Sequence, residues 1–239
     1  MKAIILCEGT TDLLLLQFIM QFKYDWKYDG FVENKISNRL VQRTLKKENK
    51  KVEIRSCGGI SEIPVNMEKI KDLIQNATKQ EEIYDKVMIM IDHDTIESNK
   101  EFIELLNQKT AGSFLEKQMN SWSEWMIENS ILGNQKIPLY IKCVPEEDTG
   151  AIESIMLDAL NTDEIEEIVI NETKSFVNKV EESQNRYLQK KSKVCKAIFN
   201  AYFAIRVPEE KYDERARILK AYDWKNNNIL QDSFSFLDI

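Results

Sequence analysis

The stretch KVMIMIDHD, residues 86–94, decides the fold of this chain. After its first lysine come five consecutive apolar residues, and it ends in two aspartates that flank a histidine. A short apolar run that stops at charged residues is typical of a strand buried on both faces of a sheet. A second such run, KAIILC at residues 2–7, is followed directly by Glu8 and Gly9. Both runs predict inner strands that lead into carboxylates.

Strand-like and helix-like segments alternate outward from these two runs. Further strands are predicted at residues 51–57 and 139–144, and helices at residues 12–23, 61–79, 102–106, 113–129 and 152–160. This alternation predicts an α/β fold, in which a mostly parallel four-stranded sheet is flanked by helices.

The pattern also predicts how the chain is divided. Residues 24–50 form an insertion without a clear periodicity, and the strand signal fades after residue 162. We therefore expect an α/β domain over residues 1–162, followed by a helical C-terminal extension over residues 163–239 that packs on the core.

The composition is that of an ordinary globular protein. Hydrophobic residues make up 43% and charged residues 31% of the 239 positions. No apolar run approaches the roughly 20 residues of a membrane-spanning helix, and the first apolar run is too short for a signal peptide. The four cysteines form no CxxC pair, which argues against a zinc site or a disulfide framework. We expect a cytoplasmic protein that does not associate with membranes.

The charge balance limits the classes of partner. A formal net charge of −7 argues against a protein whose whole surface coats nucleic acid. Residues 23–51 have the opposite balance, with nine lysines and arginines against four acidic residues and aromatic residues between them. Such a stretch can hold a nucleic-acid backbone and stack bases, although a solvated loop with packing aromatics is the alternative. The candidates for nucleic-acid binding are Arg39, Arg43, Lys46, Lys47 and Lys50.

Carboxylates follow the strands at the edge where parallel sheets bind ligands. Asp92 and Asp94 are two residues apart, so their side chains point the same way, and Glu8 follows another strand. Like charges so placed favour a cation between them. Carboxylate oxygens suit Mg²⁺ or Mn²⁺ better than zinc. His93 points to the opposite side, and we interpret it as a packing or hydrogen-bonding residue.

The two motifs ILCEGTTD and MIMIDHD together resemble the TOPRIM domain, which is marked by a strand ending in Glu-Gly and a later strand ending in Asp-x-Asp. The long spacing between the motifs, the intervening SCGGISEIP and the helical tail resemble most the stand-alone OLD-type TOPRIM nuclease-related proteins. The resemblance implies a TOPRIM-like, Rossmann-like fold. It also implies a nuclease, a hydrolase that cleaves phosphodiester bonds of DNA or RNA with one or two Mg²⁺ or Mn²⁺ ions.

The resemblance also assigns roles to the acidic residues. Glu8 becomes a metal ligand or a general acid–base group, and Asp12 stands one helical turn after it as a further metal-site carboxylate. Asp92 and Asp94 become metal ligands.

The resemblance further implies a late acidic residue and a basic residue in the tail. The segment EEDTGAIES offers Glu147, Asp148 and Glu153 as the late acid, and Glu153 is preferred because it begins a helix at the expected edge. Lys193 and Lys196 are the candidates for the basic residue that supports phosphate chemistry, and we favour Lys196.

Other functions stay open at this point. A non-catalytic TOPRIM module that binds metal and nucleic acid is one alternative, and primase-like nucleotidyl transfer is another. The chain lacks a GxxxxGK[ST] loop, so an ATPase would have to act in trans. A haloacid-dehalogenase-type phosphatase is disfavoured, because its DxDxT motif follows the first strand and residue 96 here is isoleucine. The oligomeric state stays open.

Overall fold

The computed structural model describes residues 1–33, 40–112, 114–146, 148–161, 164–183, 186–209, 220 and 223–239. Within these residues, one mixed sheet contains seven strands. In chain order they are β1 (Lys2–Cys7), β2 (Lys27–Glu33), β3 (Leu40–Lys47), β4 (Lys50–Ser56), β5 (Lys86–Asp92), β6 (Trp122–Ile127) and β7 (Gln135–Val144).

The strand order places β1 and β5 in the interior of the sheet. The order is β2-β3-β4-β1-β5-β7-β6. Strand β1 runs parallel to both β4 and β5, and its last residue, Cys7, lies opposite Ser56 and Met90. Strands β2 and β3, β3 and β4, and β6 and β7 pair antiparallel. The α/β class is confirmed, whereas the predicted number of four strands was wrong.

The structure also contains helices. Among the described residues they are α1 (Thr10–Lys23), α2 (Glu62–Asn76), α3 (Ile96–Thr110), α4 (Ile152–Leu160), α5 (Glu164–Ser183), α6 (Lys191–Arg206) and α7 (Asn228–Phe234). None of the helices in this described part of the chain has both the length and the apolar composition needed to cross a membrane.

The predicted helix at residues 113–129 was wrong. Residues 122–127 form strand β6, which pairs antiparallel with β7. Trp122 and Trp125 are three residues apart, a spacing that is typical of one helix face. In the strand this odd spacing puts them on opposite faces, so that Trp125 is 2% exposed and Trp122 is 43% exposed.

Strand β5 is buried on both faces of the sheet. Val87, Ile89 and Ile91 pack in one apolar cluster with Ile63 and Met67 of α2. On the alternate positions, Met88 and Met90 are also buried. An inner parallel strand that is covered on both sides reads as a continuous apolar run, which is why this strand could be predicted.

The chain divides into two compact units. The first comprises Met1–Gln21, Asp25–Ile91 and Ile96–Cys143. The second comprises Phe22–Tyr24, Asp92–Thr95 and Val144–Ile239. This division differs from the predicted boundary at residue 162, because α4 packs against α6 and α7 within the second unit.

The expected insertion at residues 24–50 also has a different form. Its described parts supply β2 and β3, which belong to the sheet of the first unit.

Asn129 links the end of α2 to the turn after β6. Its side-chain amide donates to the carbonyl oxygens of Ile74 and Ala77, at 2.6 and 2.9 Å. Its Oδ1 accepts from the amides of Ile131 and Leu132, at 2.8 and 2.7 Å. The side chain therefore satisfies four backbone groups in a residue that is 4% exposed.

We predict that Asn129→Ala lowers the free energy of unfolding by about 3 kcal/mol, because buried backbone groups lose their partners. Urea denaturation measures the change. Asn76→Ala is the control, since Asn76 is exposed and its amide makes one bond, to the Asp72 carbonyl oxygen. The two variants should differ clearly, and equal losses would contradict the role assigned to Asn129.

Candidate functional site

Asp92 ends β5 and is the most buried acidic group of the DHD motif. It is 4% exposed, and its Oδ2 accepts a hydrogen bond from the Lys196 ammonium in the middle of α6. Both residues belong to the second unit. A carboxylate this deeply buried is costly unless an opposite charge compensates it. The Lys196 ammonium supplies that charge, and its side chain is still 36% exposed.

Asp94 has partners at the amino end of the same helix. Its Oδ2 accepts from the Lys190 ammonium at 2.8 Å, and its Oδ1 accepts from the Ser192 hydroxyl. Burial alone would raise the pKa of Asp94, but the bonds from Lys190 and Ser192 and the charges of Lys190 and Lys196 lower it overall. Asp94 is therefore an ionised carboxylate at neutral pH.

Together these residues form a group that we call the aspartate–lysine cluster, defined as Asp92, Asp94, Lys190, Ser192 and Lys196. The end of β5 and the residues just after it supply the two anions, while the N-cap residue Lys190 and the first turns of α6 supply the cations and the hydroxyl. The positive end of the helix dipole adds to the potential at its amino end. The cluster combines oxygen donors for a cation with ammonium groups for an anion, which are the two requirements of phosphate chemistry.

His93 lies between the two aspartates in the sequence and anchors the strand end. Its Nδ1 lies 3.2 Å from the Pro145 carbonyl oxygen. Its backbone amide donates to Val144, and its carbonyl oxygen accepts from Gly150, both at 2.8 Å. These contacts give His93 the hydrogen-bonding role that alternation along the strand predicts.

Glu153 lies in the first turn of α4, within the same unit as the cluster. It is 3% exposed. Burial raises the pKa of the Cys195 thiol, against the lowering effects of Lys191, Ala151 and Ser154. Glu153 stays a prediction for the late acidic position. Among the other two candidates, Asp148 is exposed, and Glu147 lies outside the described residues.

Glu8 and Asp12 follow β1 in the first unit. The Asp12 Oδ2 accepts from the Gly9 amide at 2.7 Å, and Asp12 is 3% exposed. This is the geometry of a helix-capping carboxylate in the first turn of α1. The Glu8 carbonyl oxygen accepts from the amide of Gly58, which has a φ of +96° that glycine adopts readily. Asp12 therefore has a structural role that sequence reasoning did not assign.

Within the described residues, no group of three or more His, Cys, Asp or Glu side chains is arranged to hold a metal ion. The structure brings Asp92 to Lys196 and Asp94 to Lys190 and Ser192. Lys193, the other basic candidate, is exposed.

Sequence reasoning missed two groups. It did not select Ser192, although a small polar residue between two lysines at the start of a helix could have indicated it. It also missed Lys142, which is 3% exposed near the end of β7 and whose signal is a lone charge inside an apolar run.

The described basic candidates for nucleic-acid binding lie on strands β3 and β4. Arg43, Lys46 and Lys47 are on β3, and Lys50 begins β4. Lys46 pairs with Asp29 of β2 at 2.6 Å. Arg39 lies outside the described residues.

The depressed pKa of Asp94 makes the stability of the second unit depend on pH. A carboxylate with a lowered folded-state pKa stabilises the fold above its unfolded pKa, and this contribution is lost as the pH falls through the folded pKa. We predict that Asp94→Asn destabilises the protein more at about pH 7 than at about pH 3. Urea denaturation at both pH values measures the difference. Glu182→Gln, at an exposed position of α5, is the control, and an equal loss at both pH values for Asp94→Asn would contradict the prediction.

A solved structure with a similar fold is the crystal structure of hypothetical protein PH0156 from Pyrococcus horikoshii OT3. The two chains are 12% identical, the similarity covers 99% of this chain and 95% of that chain, and the TM-score is 0.54. At this identity the likeness shows the fold alone. No curated protein matches the chain. A family model described as "Protein of unknown function (DUF3226)" matches residues 2–237. Because this match spans nearly the whole sequence, the chain belongs to the DUF3226 family.

Proposed function

We propose that this protein is a divalent-metal-dependent nuclease that cleaves phosphodiester bonds at the aspartate–lysine cluster. The observation that carries the proposal is the pairing of two carboxylates at the end of β5 with lysine ammonium groups of α6. The resemblance of ILCEGTTD and MIMIDHD to TOPRIM nucleases supports the same reaction and stays a prediction, since the matched family and the similar structure name no activity.

The residues of the cluster fit Mg²⁺ or Mn²⁺. Mg²⁺ keeps several waters and is commonly held by one or two carboxylates together with substrate phosphates, so a preformed group of three protein ligands is not required. A carboxylate has about four lone-pair directions, so an aspartate that accepts one or two hydrogen bonds can still coordinate an ion. When bound, the ion would polarise the scissile phosphate and make a water more acidic.

The lysines are suited to neutralise the phosphate. Lys196 holds Asp92 in place, and its side chain is 36% exposed, so a phosphate can approach the ammonium. Lys190 is 58% exposed and bonds to Asp94 from the start of α6. Positioned ammonium groups stabilise the charge that develops on a phosphodiester in the transition state.

We assign the proton transfer to Glu8. It follows β1, at the position where the resemblance to TOPRIM nucleases implies a general acid–base group. A carboxylate can hold or deliver a proton at the attacking or the leaving oxygen. Asp12 would orient the turn that carries Glu8 through its bond to the Gly9 amide.

A cleavage assay tests the proposal. The purified chain should nick supercoiled plasmid or shorten labelled DNA or RNA strands with Mg²⁺ or Mn²⁺, and EDTA should stop the reaction. Lys196→Met and Asp94→Asn should each lower the rate at least about a hundredfold, the usual cost of removing a transition-state contact. Lys179→Met, at an exposed lysine of α5, is the matched control and should leave the rate unchanged.

The outcomes distinguish the proposal from its rivals. Loss of activity in the two cluster variants, assayed at a temperature at which circular dichroism shows both to be folded, supports a catalytic cluster. Metal-dependent activity that survives Lys196→Met and Asp94→Asn would contradict the proposed site. Binding of nucleic acid without cleavage on any substrate would instead favour the non-catalytic module.

A further inference from the structure

The outer edge of the sheet carries aromatic side chains that the core does not use. Strands β2 and β3 form an antiparallel pair, which we call the outer ribbon (Lys27–Glu33 and Leu40–Lys47). Two of its aromatic residues are accessible, with Tyr28 40% exposed and Phe31 53% exposed. Exposed rings at a sheet edge are available for stacking on a flat partner.

Arg43 fixes the two rings in one arrangement. Its guanidinium lies 5.1 Å from the centre of the Tyr28 ring and 5.3 Å from that of the Phe31 ring. It also donates from Nη1 to the Tyr28 hydroxyl oxygen at 2.9 Å. The cation–π contacts hold a positive charge against both rings without removing them from solvent.

The strand register explains why these three side chains share one face. Arg43 lies opposite Phe31, and Leu45 lies opposite Tyr28. An irregularity between Tyr28 and Gly30 adds one residue to β2, so both rings fall on the face of Arg43. Without that irregularity, residues three apart on one strand would point to opposite faces.

The charge of this region selects the kind of partner. The sequence of the ribbon and the turn into β4, residues 27–33 and 40–51, contains six lysines and arginines and three acidic residues, in a chain of net charge −7. The basic residues are Lys27, Arg43, Lys46, Lys47, Lys50 and Lys51. A positive surface on an acidic protein is complementary to a polyanion.

We infer that the outer ribbon binds single-stranded nucleic acid, with bases stacked on Tyr28 and Phe31 and phosphates held by Arg43 and the neighbouring lysines. Exposed rings beside basic residues are the elements of sequence-tolerant single-strand binding. In a duplex the faces of the bases are already stacked, so the rings favour unpaired strands. The inference names a substrate class for the proposed nuclease and rests on that function only for the fate of the bound strand.

Fluorescence anisotropy with short labelled oligonucleotides in EDTA tests binding without cleavage. Single-stranded DNA or RNA should bind more tightly than a duplex of the same sequence. Tyr28→Ala and Phe31→Ala should each weaken single-strand binding about fivefold or more, the usual cost of losing one base–ring stack. Val32→Ala is the matched control, because Val32 is 52% exposed on the same strand and carries no ring. Its affinity should stay that of the wild type.

Salt dependence gives a second measure. Lys47→Gln should reduce the slope of log K against log salt by about 0.7, the value for one phosphate contact to a single strand, because Lys47 is four residues after Arg43 on β3 and therefore on the same face. Melting temperatures of all variants should match the wild type, since the changed side chains are at an accessible edge.

Several results would overturn the inference. The first is that no strand binds at all, and the second is that the duplex binds more tightly than the single strand. The third is that the Phe31→Ala and Val32→Ala variants have equal affinities. Failure of the nuclease proposal gives a different pattern, in which the ribbon variants lose binding while no substrate is cut. If Lys196→Met loses cleavage but retains strand binding, the result supports both the nuclease proposal and the binding inference.

Discussion

The ion pair between the Lys196 ammonium and the Asp92 carboxylate is the interaction on which the chemistry at the end of β5 depends. Asp92 is 4% exposed, so without a cation its charge would be strongly disfavoured. Breaking a buried pair by removing one partner costs about 3–5 kcal/mol, which explains why an anion and a cation occur together here. The pair joins Asp92 to Lys196 of α6.

The fold creates this pair from segments far apart in the sequence. Lys196 and Asp92 are 104 residues apart, and Ser192 and Asp94 are 98 apart. The apolar residues of β5 hold the strand in the sheet, and the two aspartates follow directly after them in the sequence. The amino end of α6 then meets both carboxylates with complementary charge. At the outer ribbon, strand pairing also brings the residues together. The pairing of β2 with β3 and one irregularity in β2 place Arg43 beside the Tyr28 and Phe31 rings.

The sequence pattern predicted the strands that are buried along nearly their whole length. Strands β1 and β5 are covered on both faces, so their apolar runs are clear, and the acidic residues after them were found for that reason. Strands β2, β3 and β6 lie at or next to the edges of the sheet and mix exposed and buried positions, so they form through pairing rather than local pattern. The sequence analysis favoured Lys196 over Lys193 without a contact to support the choice, and the packing of α6 places Lys196 against Asp92.

We propose that the aspartates at the end of β5 and just after it bind a divalent cation in competition with Lys190 and Lys196. Titration of the purified chain with Mn²⁺ in a calorimeter tests it most directly. We predict saturable binding by the wild type. Lys196→Met should bind Mn²⁺ more tightly, because a competing cation is removed. A folded double variant with Asp92→Asn and Asp94→Asn should not bind Mn²⁺. Wild-type protein without saturable binding, or a double variant that binds as the wild type does, would contradict it.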